Sequence, residues 1–100
     1  MIRHIVAWNY SPEFSDEEKL ANGLKVKEKL EGLKALIPEI VEIRVHLKQL
    51  GTSDKAVVLN SLFASEAALQ AYQVHPEHQQ AADFVRSVLT DRVCLDFLIT

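Results

Sequence analysis

Residues 56–63 (AVVLNSLF) are apolar on both faces of an extended chain, apart from Asn60 and Ser61. A strand that alternates polar and apolar side chains can leave one face in water, but one apolar on both sides must be covered twice. The run 93–99 (VCLDFLI) makes a similar demand, with Val93, Leu95, Phe97 and Ile99 on one face. Residues 41–48 differ: Val41, Ile43, Val45 and Leu47 face one way, and Glu42, Arg44, His46 and Lys48 the other. That is the pattern of a half-buried strand. Residues 2–9 (IRHIVAWN) read as a further strand, with Ile2, His4, Val6 and Trp8 on one face and Arg3, Ile5, Ala7 and Asn9 on the other. Ser11-Pro12 ends it.

Helical signals separate these strands. Ser15 and Glu18 form a capping box. Leu20, Leu24, Leu30, Leu33 and Ile37 then recur at helical spacing, with Lys19, Lys25, Lys29 and glutamates opposite. Gly23 weakens this helix by up to ~1 kcal/mol relative to alanine, and Pro38 stops it. Gly51 to Asp54 is turn chemistry. Ser65 caps a short helix carrying Leu69 and Tyr72, which His75-Pro76 interrupts. Proline suits a first helical position, so a new helix follows, with Phe84, Val85, Val88 and Leu89 as its apolar stripe.

The predicted order is β-α-β-β-α-α-β. With right-handed connections this is an α+β fold: a ferredoxin-like, four-stranded antiparallel sheet with helices on one face. Length suits a single domain over residues 1–100. The helices can cover only one face of the sheet, and the strands are apolar on both. An uncovered apolar sheet face is a large sticky patch. A second copy packed sheet to sheet about a twofold axis covers it, so a homodimeric α/β-barrel is expected.

Eleven basic and fourteen acidic residues give a net charge of −3, with no basic run. Nucleic acid and anionic membrane are therefore not expected partners. No leader or membrane-spanning apolar stretch is read in the chain. The single cysteine, Cys94, has no intrachain partner, which fits a reducing cytoplasm. Between Val93 and Leu95 it reads as a buried, inert thiol.

Three segments in fixed order carry a family resemblance: Met1-Ile2-Arg3-His4-Ile5-Val6, Phe63-x-Ser65-x-x-Ala68-Leu69-x-x-Tyr72, and His75-Pro76-Glu77-His78. Together they resemble the stress-responsive A/B-barrel proteins over nearly the whole chain. The resemblance implies a homodimeric barrel, sometimes assembled further. The family is functionally mixed, holding plant stress-induced and antimicrobial proteins, many bacterial proteins of unknown role, and a cofactor-free plant polyketide cyclase that works by aldol condensation. His4, Tyr72 and His78 match three positions of that cyclase's pocket, and the resemblance implies that Tyr72 and His78 carry the chemistry. Val57 stands where the cyclase has another pocket histidine, and Lys27 where it has a tyrosine. The same substrate is therefore not expected.

A physical reading of the three residues runs alongside. His78 falls in the first turn of a helix, where partial positive charge disfavours imidazolium. Neutral imidazole accepts a proton near neutral pH, and Tyr72 can donate a hydrogen bond to a developing enolate. Each has a structural competitor. His78 could tie its loop to the first strand, His4 could be a satisfied strand histidine, and Tyr72 could be core. His75 reads as a cap, and His46 as solvated. No cofactor is expected, nor a metal, although carbonyls near Leu36-Ile37-Pro38 could offer ligands to Mg²⁺. Three functions stay open. The chain could be a homodimer binding a small apolar or aromatic molecule in its barrel pocket, a cyclase-like enzyme using His78 and Tyr72, or a structural stress protein acting through assembly. A related class of dimeric barrels, the cofactor-free or haem monooxygenases, is a distant alternative.

Overall fold

Alternation and capping place the elements close to where they were read. In the computed structural model, which describes residues 1–100, the chain forms β1 (Ile2–Tyr10), α1 (Asp16–Gly32), a 3₁₀ turn (Leu33–Ala35), β2 (Ile40–His46), β3 (Val57–Phe63), α2 (Glu66–Val74), α3 (Pro76–Val88) and β4 (Leu89–Leu98). The strands make one antiparallel sheet in the order β2-β3-β1-β4. This is the ferredoxin-like plan. Ser15 Oγ accepts the Glu18 N–H at 3.1 Å, and the Glu18 carboxylate accepts the Ser15 N–H at 2.9 Å, completing the capping box. Ser65 Oγ caps α2 by accepting the Ala68 N–H.

The helix-facing side of the sheet carries Val6, Trp8, Val45, Leu59 and Phe63, packed against Val26, Leu30, Tyr72 and Val85. Leu20 and Leu24 do not belong to this core: they are 67% and 64% exposed. The stripe of α1 that meets the sheet runs through Gly23, Val26, Leu30 and then Leu33. At about 100° per residue, Leu20 and Leu24 fall to its side. Gly23 also has a packing reason. A Cβ there would stand 2.3 Å from the Tyr10 hydroxyl, so the helix and the ring can meet only without it.

Two irregularities shift strands from the sequence expectation. In β2, Ile40 pairs with Phe63 and Glu42 with Leu62, which leaves Val41 as an extra residue. This bulge turns Val41 outward and puts Ile40 in the core. The strand also ends at His46 rather than at residue 48. β4 begins at Leu89, four residues before the expected Val93. Asn9 pairs with Thr90 but Ala7 pairs with Val93, so Asp91 and Arg92 together oppose Trp8. Asp91 has φ 56°, the left-handed conformation that aspartate tolerates better than most residues.

On the other face the register aligns Arg3 with Phe97, Ile5 with Leu95 and Ala7 with Val93. Leu95 and Phe97 are 60% and 47% exposed in the single chain. Ile99 lies past the end of β4, its N–H donating to the Met1 carbonyl. At the β2 edge, α1 caps the open backbone of Val45. Lys27 Nζ donates to the Val45 carbonyl at 2.8 Å, and Glu31 accepts the Val45 N–H at 2.9 Å. Burial works to raise the Glu31 carboxyl, but the Lys27 ammonium and the Val45 N–H hold it below the ordinary range. No helix is long and apolar enough to cross a membrane.

Candidate functional site

The kink between α2 and α3 builds the site. His75 closes α2 and opens α3, and its Nδ1 accepts the Glu77 N–H at 3.1 Å, as its reading as a cap requires. Pro76 supplies the first helical residue. The chain therefore folds back so that His78 lies against Tyr72, with ring centroids 4.3 Å apart. His78 Nδ1 lies 3.2 Å from the Gln73 carbonyl. A carbonyl only accepts, so Nδ1 carries the hydrogen and Nε2 is the free acceptor of the neutral ring. The tie runs to the end of α2, not to the first strand. Burial lowers the His78 pKa, and the charges of His4, Arg86 and Arg92 push the same way against the Gln73 carbonyl.

Tyr72 is wholly buried, and its hydroxyl has no hydrogen-bond partner. Burial pushes its pKa above the ordinary tyrosine value, so the phenol keeps its proton. A buried polar group without a partner is uncommon and calls for a reason. The residue lines a cavity of about 180 Å³. Val6, Trp8, Leu30 and Leu59 form its apolar walls, and His4, Tyr72, His78, Arg86 and Arg92 bring polar groups to it. All three candidate residues thus meet in one place. The cavity lies between the sheet and the helices of one protomer.

His4 is buried on β1, its backbone carbonyl accepting from Ser61 Oγ at 2.8 Å. Its Nδ1 meets the Asp96 carboxylate, and because a carboxylate only accepts, Nδ1 is the nitrogen that donates. Its ring lies edge-on to Phe63 and Tyr72. Asp96 was missed by the sequence reading. Its signal was present: a lone carboxylate in an apolar strand, aligned with His4 by register. Arg92 was missed because the bulge at Asp91 hid the start of β4.

Val57 is fully buried among apolar neighbours, and Lys27 serves the β2 edge rather than the cavity. His46 is exposed at the end of β2. Cys94 is not the buried thiol expected. It is exposed, because β4 is an edge strand and no helix covers this stretch. Partial burial and the Asp96 carboxylate push its pKa up, so it stays a thiol. His4 Nδ1, Cys94 Sγ and an Asp96 oxygen all lie within 4.8 Å of one another, close enough to ligate one ion such as Zn²⁺. The donors already contact each other, Cys94 Sγ standing 3.8 Å from His4 Nδ1 and 3.6 Å from Asp96 Oδ2. After α1, the Leu33 carbonyl accepts the N–H groups of Leu36 and Ile37. The Lys34 ammonium lies 3.5 Å and 3.0 Å from the carbonyls of Ile40 and Val41.

The model of the Stress responsive A/B Barrel Domain matches residues 2–99. No curated protein matches the sequence. Among solved structures, a dimeric ferredoxin-like protein of unknown function from Bacteroides fragilis NCTC 9343 is 30% identical, with a TM-score of 0.89, over 98% of this chain and 95% of that one. A dimeric ferredoxin-like protein of unknown function from Thermobifida fusca is 25% identical, with a TM-score of 0.77, over 98% and 90%. The hydroxynitrile lyase of Passiflora edulis is similar over 99% and 93%, with a TM-score of 0.78, but at 19% identity this likeness speaks for the fold alone.

Proposed function

The chain belongs to the stress responsive A/B barrel domain family, and on that premise we propose that it is a cytoplasmic homodimer in which each protomer holds a small apolar or aromatic molecule in the cavity between sheet and helices. The observation that carries this reading is the unpartnered hydroxyl of Tyr72, buried beside a cavity with Val6, Trp8, Leu30 and Leu59 among its walls. A ligand oxygen there would meet a donor already stripped of water, which is where one hydrogen bond contributes most to specificity. The dimer rests on the apolar outer face and on the dimeric relatives. An internal cavity favours ligand binding over a purely structural role.

The contact between Tyr72 and His78 favours a second reading, a cofactor-independent acid–base enzyme. His78 Nε2 would remove a proton next to a carbonyl, and the Tyr72 O–H would hydrogen-bond to the enolate oxygen. Burial keeps the imidazole neutral and the phenol protonated, the two states this division of labour needs.

Titration of the histidine ring signals by NMR, in the wild type and in Tyr72→Phe, tests both readings. We expect His78 to titrate below the ordinary value of 6.5 and to move when the hydroxyl is lost. Four histidines that titrate normally and ignore the substitution would leave neither reading standing.

A further inference from the structure

The cavity has a chemical polarity that its apolar walls do not predict. Arg86 reaches it from α3 and Arg92 from β4, and no aspartate or glutamate lines it. The chain as a whole is net acidic, at −3, so a cationic mouth is a local arrangement rather than a result of composition. Both guanidinium charges act on His78 inside the site. Arg86 pairs with Asp83 one turn earlier, but both side chains are largely exposed, and such pairs are weak. Arg92 is on the cavity side only because of the bulge. Leu89 faces the core opposite Tyr10, and regular alternation from there would turn Arg92 outward. The extra residue restores it to the inner face. Bulges often re-aim a side chain next to a site in this way.

We propose that the cavity takes a small monocyclic carboxylate, with its ring against the apolar walls and its carboxylate held at the mouth by Arg86 and Arg92. This deepens the ligand-binding reading and rests on it. The size fits: a dry cavity of about 150 Å³ accepts benzene, and this one measures about 180 Å³. One ring therefore fills it, and a charged group on that ring is left at the exposed arginines. Guanidinium recognises carboxylate through paired, charge-assisted hydrogen bonds. Two forks from separate elements would fix the ring's direction of entry.

The test uses the full chain, with benzoate, its neutral isostere benzamide, and inorganic phosphate as probes. The Tyr72 and His78 ring signals are followed by NMR. Benzoate is expected to move both signals and to bind about tenfold more tightly than benzamide, the scale of one charge-assisted contact. In Arg86→Gln/Arg92→Gln that advantage should disappear while benzamide binding is unchanged. The single variant Arg92→Gln, at an exposed position, gives a partial loss and serves if the double variant does not fold. Equal binding of benzoate and benzamide, or benzoate affinity indifferent to the arginines, overturns the proposal. So does phosphate competing as well as benzoate, which would mark a mere anion-binding rim. Failure of the cavity itself would look different, because then neither ring compound would move either signal.

Discussion

The two faces of the sheet come from the same strands and are put to opposite uses. On the helix side, His4, Ser61 and Asp96 stand among Val6, Leu59 and Phe63. The first two are buried, and all three are tied to one another by hydrogen bonds. On the far side, Leu95 and Phe97 lie in the open in a single chain, beside Ile5 and Arg3. Buried polar groups are stable only when partnered, so the helix side can afford chemistry where each atom is accounted for. Tyr72 is its one unpartnered oxygen among the cavity-lining groups. The far side mixes its apolar side chains with Arg3, which donates to Glu42 and Asn60 at 3.3 Å, and its apolar part asks for coverage. The comparison teaches that one period-2 pattern can enclose a partnered polar cluster on one face of a sheet and leave apolar side chains on the other.

The comparison can be broken most severely at Phe63, wholly buried on the helix side. Phe63→Ala should cost about 3–5 kcal/mol, read from the denaturant midpoint. A loss below about 1 kcal/mol would mean that the helix side is not the packed side. On the far side, Leu95→Glu should dissociate the dimer in sedimentation equilibrium. Each protomer would lose about 1.5–3 kcal/mol of apolar burial, and a charge would enter the interface. An unchanged dimer would show that another surface mediates association.

A smaller effect sharpens the helix side through pH. The folded pKa of His78 lies below its ordinary value of 6.5, mainly through burial. The folded state therefore binds fewer protons than the unfolded state between those two values. Stability should be full above about pH 6.5, fall as pH drops toward the folded pKa, and level off below it. His78→Gln should flatten that slope in parallel denaturation curves; a slope unaltered by the substitution would assign the pH dependence to other groups. The smallest change is expected from Tyr72→Phe. Removing an unpartnered buried hydroxyl should leave stability within about 1 kcal/mol or raise it, while ligand affinity falls. A large loss of stability would mean that the hydroxyl has a structural partner after all.

Much of this site was legible before the fold was seen. His4, Tyr72 and His78 were marked by residue type and motif, and they do line one cavity. His75 was legible as a cap because Pro76 follows it. Arg92 and Asp96 were not singled out. Asp96 matters only because β1 brings His4 beside it, and Arg92 only because a bulge turns it inward. Cys94 was misjudged for a related reason: its apolar neighbours face the other way, and nothing in the string says which strand ends up at the edge.

The sequence by itself determined the elements, their caps and the two-sided coverage of the sheet. Those follow from period, turn chemistry and the handedness of connections, all local or nearly so. Only the tertiary structure decided which leucines of α1 meet the sheet, where β2 and β4 slip by one residue, and which polar groups share the cavity. Each of these depends on pairing between distant segments. A one-residue slip exchanges the faces of every residue beyond it, and a strand read alone carries no record of its partner's register.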